Sequence, residues 1–387
     1  MEYDVVVIGS GIQGAAVAQA ASAAGYKTLV LEQYGEPALC TSSRSSKLIH
    51  GGLRYLESAQ FGLVKECLVE RARLLSNASH LVRLVPFHIP VYKETKRRPW
   101  KITAGLMLYS LLSRKPFHRI PKNQWQQLDG LKTEGLDAVF SYYDAQTDDA
   151  KLTRSVLASA QSLGAEILFN ARFESCQIQT KSCTVDYSLN DQQASIKTRC
   201  LVNATGPWVD QIAKRITPDI PQPNVELVQG THIEIPGQVK RGMYYLEAPQ
   251  DQRAVFVMPW KNHLLIGTTE ADYQGDPAKV KPLDTEIEYL LSVYNHYFNK
   301  TLHPKDVINS FAGLRVLPGG DGKAFSRPRD TLIITDNEDQ PHVLSLYGGK
   351  LTAQRATAED VMKKLQKTLP ERKAIADTRI LKLPEAG

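Results

Sequence analysis

The segment 3–32 most constrains the fold of this chain, because it reads as strand, glycine turn, helix, strand and acid. Residues 4–8 form an apolar run rich in Val, as in strands that are buried on both faces. The helix that follows, over 11–24, is crowded with Ala and suits close packing. A second buried strand over 27–31 completes a β-α-β unit. This order predicts a parallel sheet of the Rossmann type.

The turn itself predicts a dinucleotide site. Gly9, Gly11 and Gly14 form the pattern G-x-G-x-x-G. The first glycine permits the tight turn, the second lets the backbone approach a pyrophosphate, and the third lets the helix pack on the strand. The N-terminus of the helix also attracts phosphate. Glu32 ends the second strand, where its carboxylate can accept both hydroxyls of an adenosine ribose. The motif alone does not separate FAD from NAD.

Composition excludes several other classes of protein. The chain has 387 residues, of which 42% are hydrophobic and 23% are charged, which leaves ample length for two domains. The first strand begins at residue 3, so no secretory signal is expected. The apolar run 102–113 is too short to span a bilayer. The five cysteines form no C-x-x-C pair, so we predict no disulfide framework and no metal site, and a reducing cytoplasm is favoured.

The positive charge of the chain is local. The net charge is +6, and residues 93–122 carry nine Lys or Arg against the single acid Glu94, or +8. The remainder is therefore about −2, which does not suit a nucleic-acid-binding protein. The middle of this stretch is apolar and can be a helix packed on a sheet with a charged outer face. It can also be a peripheral membrane contact, with its basic ends on anionic lipid. The residues alone favour the first interpretation.

A loop of small and basic residues follows over 41–56, TSSRSSKLIHGGLRYL. Its hydroxyls and exposed amides can follow the phosphates and the ring edge of a cofactor. A solvated linker is the alternative. Because an amphipathic helix is predicted directly after it, over 53–75, we favour a binding loop held between packed elements.

This loop closely resembles the signature loop of FAD-dependent glycerol-3-phosphate dehydrogenases, within the wider family of flavin amine and hydroxyacid oxidases. The resemblance extends from Tyr3 to about Leu365 and implies FAD rather than NAD. It implies an α/β protein, with a Rossmann-like FAD-binding domain and an inserted, mainly antiparallel β substrate domain (α+β). The expected FAD-binding domain comprises residues 1–85, 140–215 and 310–387, and the substrate-binding domain residues 86–139 and 216–309. Many members continue into a helical C-terminal domain, whereas this chain ends at Gly387.

Three later segments carry the resemblance further. CLVNATGPW, over 200–208, reads as a buried strand with a proline in the first turn of a helix, and resembles the second FAD segment of the family. A plain strand-to-helix turn is the alternative. NSFAGLRVL over 309–317 is expected to return to the cofactor. The strand 343–347 and the GGKLT segment after it are also expected to return to the cofactor. The final helix, over 351–368, can stabilise the anionic reduced flavin with its positive end.

The resemblance and the motifs together name the residues expected to hold FAD. They are Gly9, Gly11, Ile12, Gln13, Gly14, Glu32, Thr41, Ser42, Ser43, Ser45, Ser46, Lys47, Leu48, His50, Gly51, Gly52, Arg172, Phe173, Ala204, Thr205, Gly206, Trp208, Gly313, Gly349, Lys350, Leu351 and Thr352.

The pattern becomes period two between 224 and 269, as in antiparallel strands. His232 lies inside this region, where a lone histidine is more often structural. The family places a histidine beside the substrate at this position, so His232 is a candidate catalytic residue. Asp148 and Asp149 stand just before a helix predicted over 152–163, and we expect capping from both.

The resemblance implies a reaction, the oxidation of sn-glycerol 3-phosphate to dihydroxyacetone phosphate by hydride transfer from C2 to flavin N5. Arg315 is the expected polariser, and His232 or His50 is expected near the proton. A phosphate dianion needs cations, and His232 is counted among them. The expected substrate-binding residues are Arg54, Tyr55, Arg329 and Lys350. Surface ion pairing is the alternative for Arg54 and Arg329.

The expected partners are a small phosphorylated substrate and a quinone or another electron acceptor. The resemblance favours the membrane interpretation of residues 93–122, because the bacterial dehydrogenases are peripheral membrane enzymes. We therefore expect a cytoplasmic protein with a contact on the inner face of the cytoplasmic membrane. Two other functions stay open: a flavin oxidase or dehydrogenase of another small hydroxy acid or amine, and a non-catalytic flavin-binding protein.

Overall fold

The computed structural model describes residues 2–57, 59–319 and 331–385. The described residues form seven α-helices: α1 (Ile12–Ala23), α2 (Phe61–Asn77), α3 (Pro99–Ser113), α4 (Asp149–Ser162), α5 (Val209–Ala213), α6 (Asp284–Tyr297) and α7 (Gln354–Leu365). They also form nineteen strands: β1 (Tyr3–Ile8), β2 (Thr28–Leu31), β3 (Leu48–Ile49), β4 (Arg83–Tyr92), β5 (His118–Arg119), β6 (Leu136–Gln146), β7 (Glu166–Leu168), β8 (Ala171–Gln179), β9 (Ser182–Leu189), β10 (Gln192–Asn203), β11 (Ile216–Thr217), β12 (Val225–Pro236), β13 (Met243–Glu247), β14 (Ala254–Trp260), β15 (His263–Gly267), β16 (Ala271–Tyr273), β17 (Asn309–Pro318), β18 (Leu332–Thr335) and β19 (Val343–Tyr347).

The first sheet follows the order β11-β8-β9-β10-β1-β2-β7, with β19 beside β10 and β18 beside β19. β1 pairs in parallel with β2 and β10, and β10 pairs in parallel with β19. Val5, Val6 and Val7 are fully buried, because both faces of β1 are covered. Val6 packs on one face with apolar residues of β8 and β9. One core joins β1 to apolar residues of α1, α4 and α7. The predicted Rossmann-like sheet is confirmed.

The second sheet follows the order β16-β12-β15-β14-β13-β4-β6-β3, with β17 beside β12 and β5 beside β6. β12 pairs antiparallel with β15, β16 and β17. Apolar residues of this sheet pack with those of α6 in a separate core. The mainly antiparallel sheet predicted from the period-two pattern is therefore confirmed.

The change between the two sheets does not coincide with the predicted boundaries. Residues 140–146 belong to β6 and residues 310–318 to β17, and both strands lie in the second sheet. β6 pairs with β4 and β17 pairs with β12 along nearly their whole lengths, which keeps each strand in one sheet. We propose that the two domains follow the two sheets.

The helix predicted over 53–75 is interrupted. Leu53–Leu56 form a 3₁₀ helix, and α2 begins only at Phe61. Between them Ala59 takes a left-handed conformation, with φ +55°, through which an α-helix cannot continue. Within the described ranges, the chain contains no helix with the length and apolar content to cross a membrane.

Candidate active site

A cavity of about 800 Å³ opens where β1 and β2 end. In open α/β sheets ligands bind at the carboxyl ends of the strands, and this volume lies in the upper part of the range of about 300–1,000 Å³ for small-molecule sites. Its walls come from the glycine turn, the 41–56 loop, and the turns that follow β10 and β19.

The glycine turn closes one end of the cavity. Gly9 has φ +94°, and a Cβ on Gly14 would lie only 1.9 Å from the carbonyl oxygen of Gly9. α1 can therefore pack on the end of β1 only with glycine at both positions. The carboxylate of Glu32 is fixed in the wall, since it accepts from the N–H and Oγ of Ser10 at 2.8 and 2.7 Å and from the N–H of Tyr34 at 3.0 Å.

The 41–56 loop is fastened to α1 and to the second sheet. Ser42 Oγ accepts from the N–H of Ile12 at 2.9 Å, at the first turn of α1. Thr41 Oγ1 donates to the carbonyl oxygen of Leu314 at 3.0 Å, on β17. The loop is a wall of the cavity and not a solvated linker.

Gly313 and Thr352 hold the same loop from the C-terminal part of the chain. A Cβ on Gly313 would lie 2.6 Å from the carbonyl oxygen of Arg44, so this glycine is needed for an approach to the loop. The N–H of His50 donates to Thr352 Oγ1 at 3.2 Å. Three distant segments therefore converge on the loop.

Most of the residues expected to hold FAD line this cavity. They are Gly9, Gly11, Ile12, Gln13, Glu32, Thr41, Ser42, Ser45, Ser46, Leu48, His50, Arg172, Phe173, Ala204, Thr205, Gly206, Trp208, Gly313, Gly349, Lys350, Leu351 and Thr352.

Five expected residues lie away from its wall, each with a structural reason. Gly14 lies in the contact between helix and strand, and Ser43 donates to the carbonyl oxygen of Cys40 at 3.0 Å. The Lys47 ammonium is directed into the protein, and Gly51 is buried. Gly52 lines a smaller chamber next to the cavity.

The smaller chamber has a volume of about 110 Å³ and adjoins the larger cavity, since Ser46, Leu48, His50, Thr268 and Arg315 line both. Such a volume suits part or all of a small molecule. The position next to the larger cavity makes this chamber the candidate substrate site.

Two arginines and one carboxylate meet at this chamber. Arg315 Nη1 lies 2.8 Å from Glu270 Oε1, and Arg253 Nη2 lies 3.2 Å from Glu270 Oε2. Arg315 Nη2 also donates to the carbonyl oxygen of Thr269 at 2.9 Å. The side chain of Glu270 is only 6% exposed, so a single buried carboxylate is shared by the two guanidinium groups.

His232 is buried beside this cluster and stacks on Phe311 with ring centroids 5.1 Å apart. Its Nε2 lies 2.9 Å from Ser46 Oγ, and its Nδ1 has no hydrogen-bond partner among the described residues. Burial, together with the charges of Lys47 and Arg315, lowers the pKa of His232 from 6.5 to about 3. The expectation that His232 supplies a cation is therefore wrong, and the ring is neutral near pH 7.

A buried network around Asp144, which also lines the smaller chamber, supports its wall. Asp144 accepts from Tyr109 Oη at 2.7 Å and pairs with Arg71 at 2.5 Å. The N–H of Gly51 donates to Tyr109 Oη at 3.0 Å. Burial raises the pKa of Asp144 despite its cationic partner. This network joins α2 and α3 to the backbone next to His50.

The remaining expected substrate residues divide into two groups. Tyr55 and Lys350 line the larger cavity, and Lys350 Nζ lies 4.6 Å from the centre of the Tyr55 ring. Arg54 belongs to the 3₁₀ helix Leu53–Leu56, but its side chain lies outside the described part of the chain. Arg329 also lies outside the described residues.

The polar groups of the cavity fit FAD. Both the amide nitrogen and the amide oxygen of Gln13 are buried without a partner in the described part of the chain. Gly349 has φ +112°, a conformation that other residues rarely adopt, and a Cβ there would lie 2.2 Å from Gln13 Nε2, so the cradle favours glycine. A ligand that carries both hydrogen-bond donors and acceptors, as flavin and adenine do, would satisfy these atoms.

Sequence reasoning missed Arg253, Glu270 and Asp149. Arg253 and Glu270 stand alone in their segments, and no local pattern distinguishes them from surface ion pairs. We expect Asp148 and Asp149 to cap a helix, and Asp148 is the N-cap of α4, accepting from the N–H of Lys151 at 3.1 Å, while Asp149 accepts from the N–H of Ala150 at 2.9 Å. The carboxylate of Asp149 is also fully buried against the 41–56 loop.

Sequence reasoning also missed Glu286, on α6. Its carboxylate accepts from Thr231 Oγ1 at 2.7 Å and from Thr269 Oγ1 at 2.5 Å. These threonines precede His232 and Glu270 in the chain, so α6 fixes both segments. A glutamate in the first turn of a helix gives no sign of this role.

Comparison with known proteins agrees with this geometry. A family model described as FAD dependent oxidoreductase matches residues 4–355. The chain is 38% identical over 374 residues to a glycerol-3-phosphate dehydrogenase of Pseudomonas aeruginosa, covering 94% of this chain and 72% of the relative. It is 35% identical over 377 residues to a D-erythritol 1-phosphate dehydrogenase of Brucella abortus, covering 95% of this chain and 74% of the relative.

A solved structure agrees as well. The glycerol-3-phosphate dehydrogenase from Bacillus halodurans, complexed with FAD, aligns with a TM-score of 0.79 and 26% identity, over 99% of this chain and 68% of that chain. The matched region includes the glycine turn, the 41–56 loop and both sheets. The predicted cofactor and fold are thus confirmed, and the chain belongs to the family of FAD-dependent oxidoreductases.

Proposed function

We propose that this protein oxidises sn-glycerol 3-phosphate to dihydroxyacetone phosphate. The observation that carries the proposal is the small chamber next to the FAD cavity, where Arg253 and Arg315 share the carboxylate of Glu270. The similarity to glycerol-3-phosphate dehydrogenases supports the same substrate. When bound, FAD supplies the acceptor for the hydride of substrate C2.

The residues proposed to hold FAD divide by the part of the cofactor they suit. The glycine turn and the first N–H groups of α1 suit the pyrophosphate. Glu32 suits the adenosine ribose. The 41–56 loop and the turn at 348–352 line the part of the cavity next to the substrate chamber, which suits the flavin ring.

The proposed phosphate-binding groups are Arg315, Arg253 and Lys350. A guanidinium presents two parallel N–H donors that match two phosphate oxygens. Glu270 holds both arginines at the chamber in the absence of substrate. A phosphate dianion brings the charge that balances this cationic cluster.

The proposed proton acceptor for the substrate hydroxyl is His50, which lines both the larger cavity and the chamber. His232 is a poor acceptor, because protonating its buried ring beside Lys47 and Arg315 is costly. We assign to His232 the orientation of the substrate as a neutral hydrogen-bonding group.

The substrate is tested by anaerobic bleaching of the flavin absorbance of the purified protein. The panel is sn-glycerol 3-phosphate, D-erythritol 1-phosphate, glycerol, lactate and a set of amino acids. Fast bleaching by glycerol 3-phosphate, with none by glycerol, supports the proposal. Bleaching only by an unphosphorylated donor overturns it, and faster bleaching by the erythritol phosphate replaces glycerol 3-phosphate with a longer polyol phosphate.

The phosphate site is tested by the variants Arg253→Met and Arg315→Met. Losing a charged hydrogen bond of about 1.5–3 kcal/mol raises the KM for the phosphorylated substrate about 10- to 150-fold. Arg154→Met is the matched control, because Arg154 pairs at 3.2 Å with Glu36 on the surface. An unchanged KM in both chamber variants would remove these arginines from the phosphate site.

We also propose a peripheral membrane contact through α3. Trp100, Met107 and Leu111 are 73%, 61% and 76% exposed, and their spacing puts them within an arc of about 40° on one face of the helix. Leu106 and Tyr109, on the inner face, are buried. An exposed apolar stripe with basic residues at both ends suits the headgroup region of an anionic bilayer.

Sedimentation with lipid vesicles tests this contact. The protein is expected to sediment with phosphatidylglycerol vesicles more than with phosphatidylcholine vesicles. The triple variant Trp100→Ser, Met107→Ser, Leu111→Ser should stay in solution. The control, Ile375→Ser with Ile380→Ser, removes two exposed apolar side chains from another region. Equal binding by both variants would refute a role of α3.

The electron acceptor is proposed to be a quinone. Reduction of a soluble quinone without peroxide formation supports a dehydrogenase. Oxygen consumption with stoichiometric peroxide would instead identify an oxidase. The measurement uses the same purified protein with its substrate, so it is independent of the vesicle experiment.

A further inference from the structure

Lys47 and Asp149 form a buried ion pair behind the 41–56 loop. Lys47 Nζ lies 2.7 Å from Asp149 Oδ1, and the two side chains are 6% and 0% exposed. Lys47 Nζ also donates to the carbonyl oxygen of Ser43 at 3.0 Å. Buried charges persist only when they are paired and hydrogen-bonded, and this pair satisfies both conditions.

The other oxygen of the Asp149 carboxylate holds Ser45. Oδ2 accepts from the N–H of Ser45 at 3.0 Å and from its Oγ at 2.7 Å. Since Lys47 is bound through Oδ1, one carboxylate at the start of α4 fixes the residues on both sides of Ser46. Ser46 lines both the FAD cavity and the substrate chamber.

The Lys47 ammonium also packs against aromatic rings. It lies 4.8 Å from the ring centre of Trp260 and 5.2 Å from that of Phe311. Phe311 stacks on His232, whose Nε2 is bonded to Ser46 Oγ. The ion pair is therefore linked to His232 through Phe311, and it contacts the loop directly.

The backbone at Lys47 needs such support. Lys47 has φ +58°, a conformation that side chains other than glycine seldom adopt. Positions of this kind persist when surrounding contacts determine them, and they concentrate at binding sites. The contacts of the Lys47 side chain and of its neighbour Ser45 supply that determination.

We propose that Lys47 and Asp149 are positioning residues that hold the Ser45–Ser46 segment in the shape required to retain FAD. Neither residue lines the cavity, so they act through Ser45, Ser46 and His232. The proposal concerns the cofactor site and does not depend on the identity of the substrate.

The test is the rate and extent of FAD release from the purified holoenzyme on dilution, followed by the recovery of flavin fluorescence. The variants are Lys47→Met, which keeps the length of the side chain, Asp149→Asn, and the two combined. Lys132→Met is the matched control, because the half-buried Lys132 Nζ donates to the carbonyl oxygen of Asn295 at 2.7 Å, far from the loop in sequence.

Each single variant is expected to weaken FAD retention at least tenfold, and the control is expected to stay within twofold of the unmodified protein. The combined variant should release FAD about as fast as the single variant that binds FAD more weakly, because both changes break the same ion pair. The absorption spectrum of the flavin that remains bound should change as well.

A merely structural role gives a different result. It lowers the midpoint of thermal unfolding while FAD retention, measured well below that midpoint, stays within twofold. That result, or additive effects of the two changes, would overturn the proposal. If Asp149→Asn does not fold, Lys47→Met decides alone, because it leaves the carboxylate bound by Ser45 and by the N–H of Ala150 at 2.9 Å.

Discussion

Replacing His232 with glutamine is expected to remove one pH-dependent contribution to the free energy of unfolding. Burial, with help from Lys47 and Arg315, lowers the pKa of His232 to about 3 in the folded protein, against an ordinary value of 6.5. Between these two values the unfolded chain binds a proton at this site and the folded protein does not. Stability therefore falls as the pH is lowered through this window, and it is fully present above about pH 6.5.

The size of the effect follows from the two pKa values. One pKa unit corresponds to about 1.36 kcal/mol, so the whole window is worth about 5 kcal/mol. Between about pH 7.5 and about pH 4.5 the histidine in the unfolded chain takes up its proton almost completely, which accounts for about 2.5 kcal/mol. This value of about 2.5 kcal/mol depends little on the pKa of His232 in the folded protein, because the folded ring is still neutral at about pH 4.5.

Urea unfolding at the two pH values, with saturating FAD, measures this contribution. The His232→Gln variant is expected to lose about 2.5 kcal/mol less than the unmodified protein when the pH is lowered. The control is His80→Gln, since His80 is exposed and its surroundings change little on unfolding. Equal losses in all three proteins would refute the reasoning that His232 is held neutral by the fold.

Two further substitutions test the packing around the site, each against a matched control. Tyr109→Phe removes a hydroxyl bonded at 2.7 Å to the buried Asp144 and should lower the free energy of unfolding by about 2 kcal/mol. Tyr3→Phe removes a bond to an exposed carboxylate and should change it by less than about 0.5 kcal/mol; equal losses in urea unfolding would contradict the buried network. Gly14→Ala should cost about 3 kcal/mol or more, with loss of FAD, because its Cβ would overlap the preceding turn at 1.9 Å. Gly105→Ala, in α3, meets nothing within 4 Å and should stabilise the protein by about 1 kcal/mol, and thermal unfolding of the two variants checks both signs.

The parts of the site that could be predicted are those whose residues are close together in sequence. Gly9, Gly14 and Glu32 belong to one β-α-β unit, so their spacing alone determines where they meet. The loop 41–56 was also recognisable, because many small and polar residues in succession do not suit a core element. Its contact with the cavity followed from its position between two packed elements.

The missed residues find their partners only in the folded chain. Asp149 begins a helix in the manner of a capping residue, and its partner Lys47 lies 102 positions earlier. Arg253 and Glu270 face one chamber only because β14 and β15 are neighbours in the second sheet. The break before α2 was missed as well, since Ala59 gives no local sign that it adopts a left-handed conformation.

The fastening of the 41–56 loop has a consequence for the order of folding. Its bond from Thr41 reaches Leu314, which is 273 positions away, and its bond from His50 reaches Thr352, which is 302 positions away. Contacts between such distant parts of a chain form slowly, because a long loop must close before any of them can stabilise it. During synthesis from the N-terminus, the loop therefore stays without these two anchors until residues 314 and 352 have emerged. The cofactor is therefore captured late, and its binding stabilises the assembled fold rather than guiding the early steps.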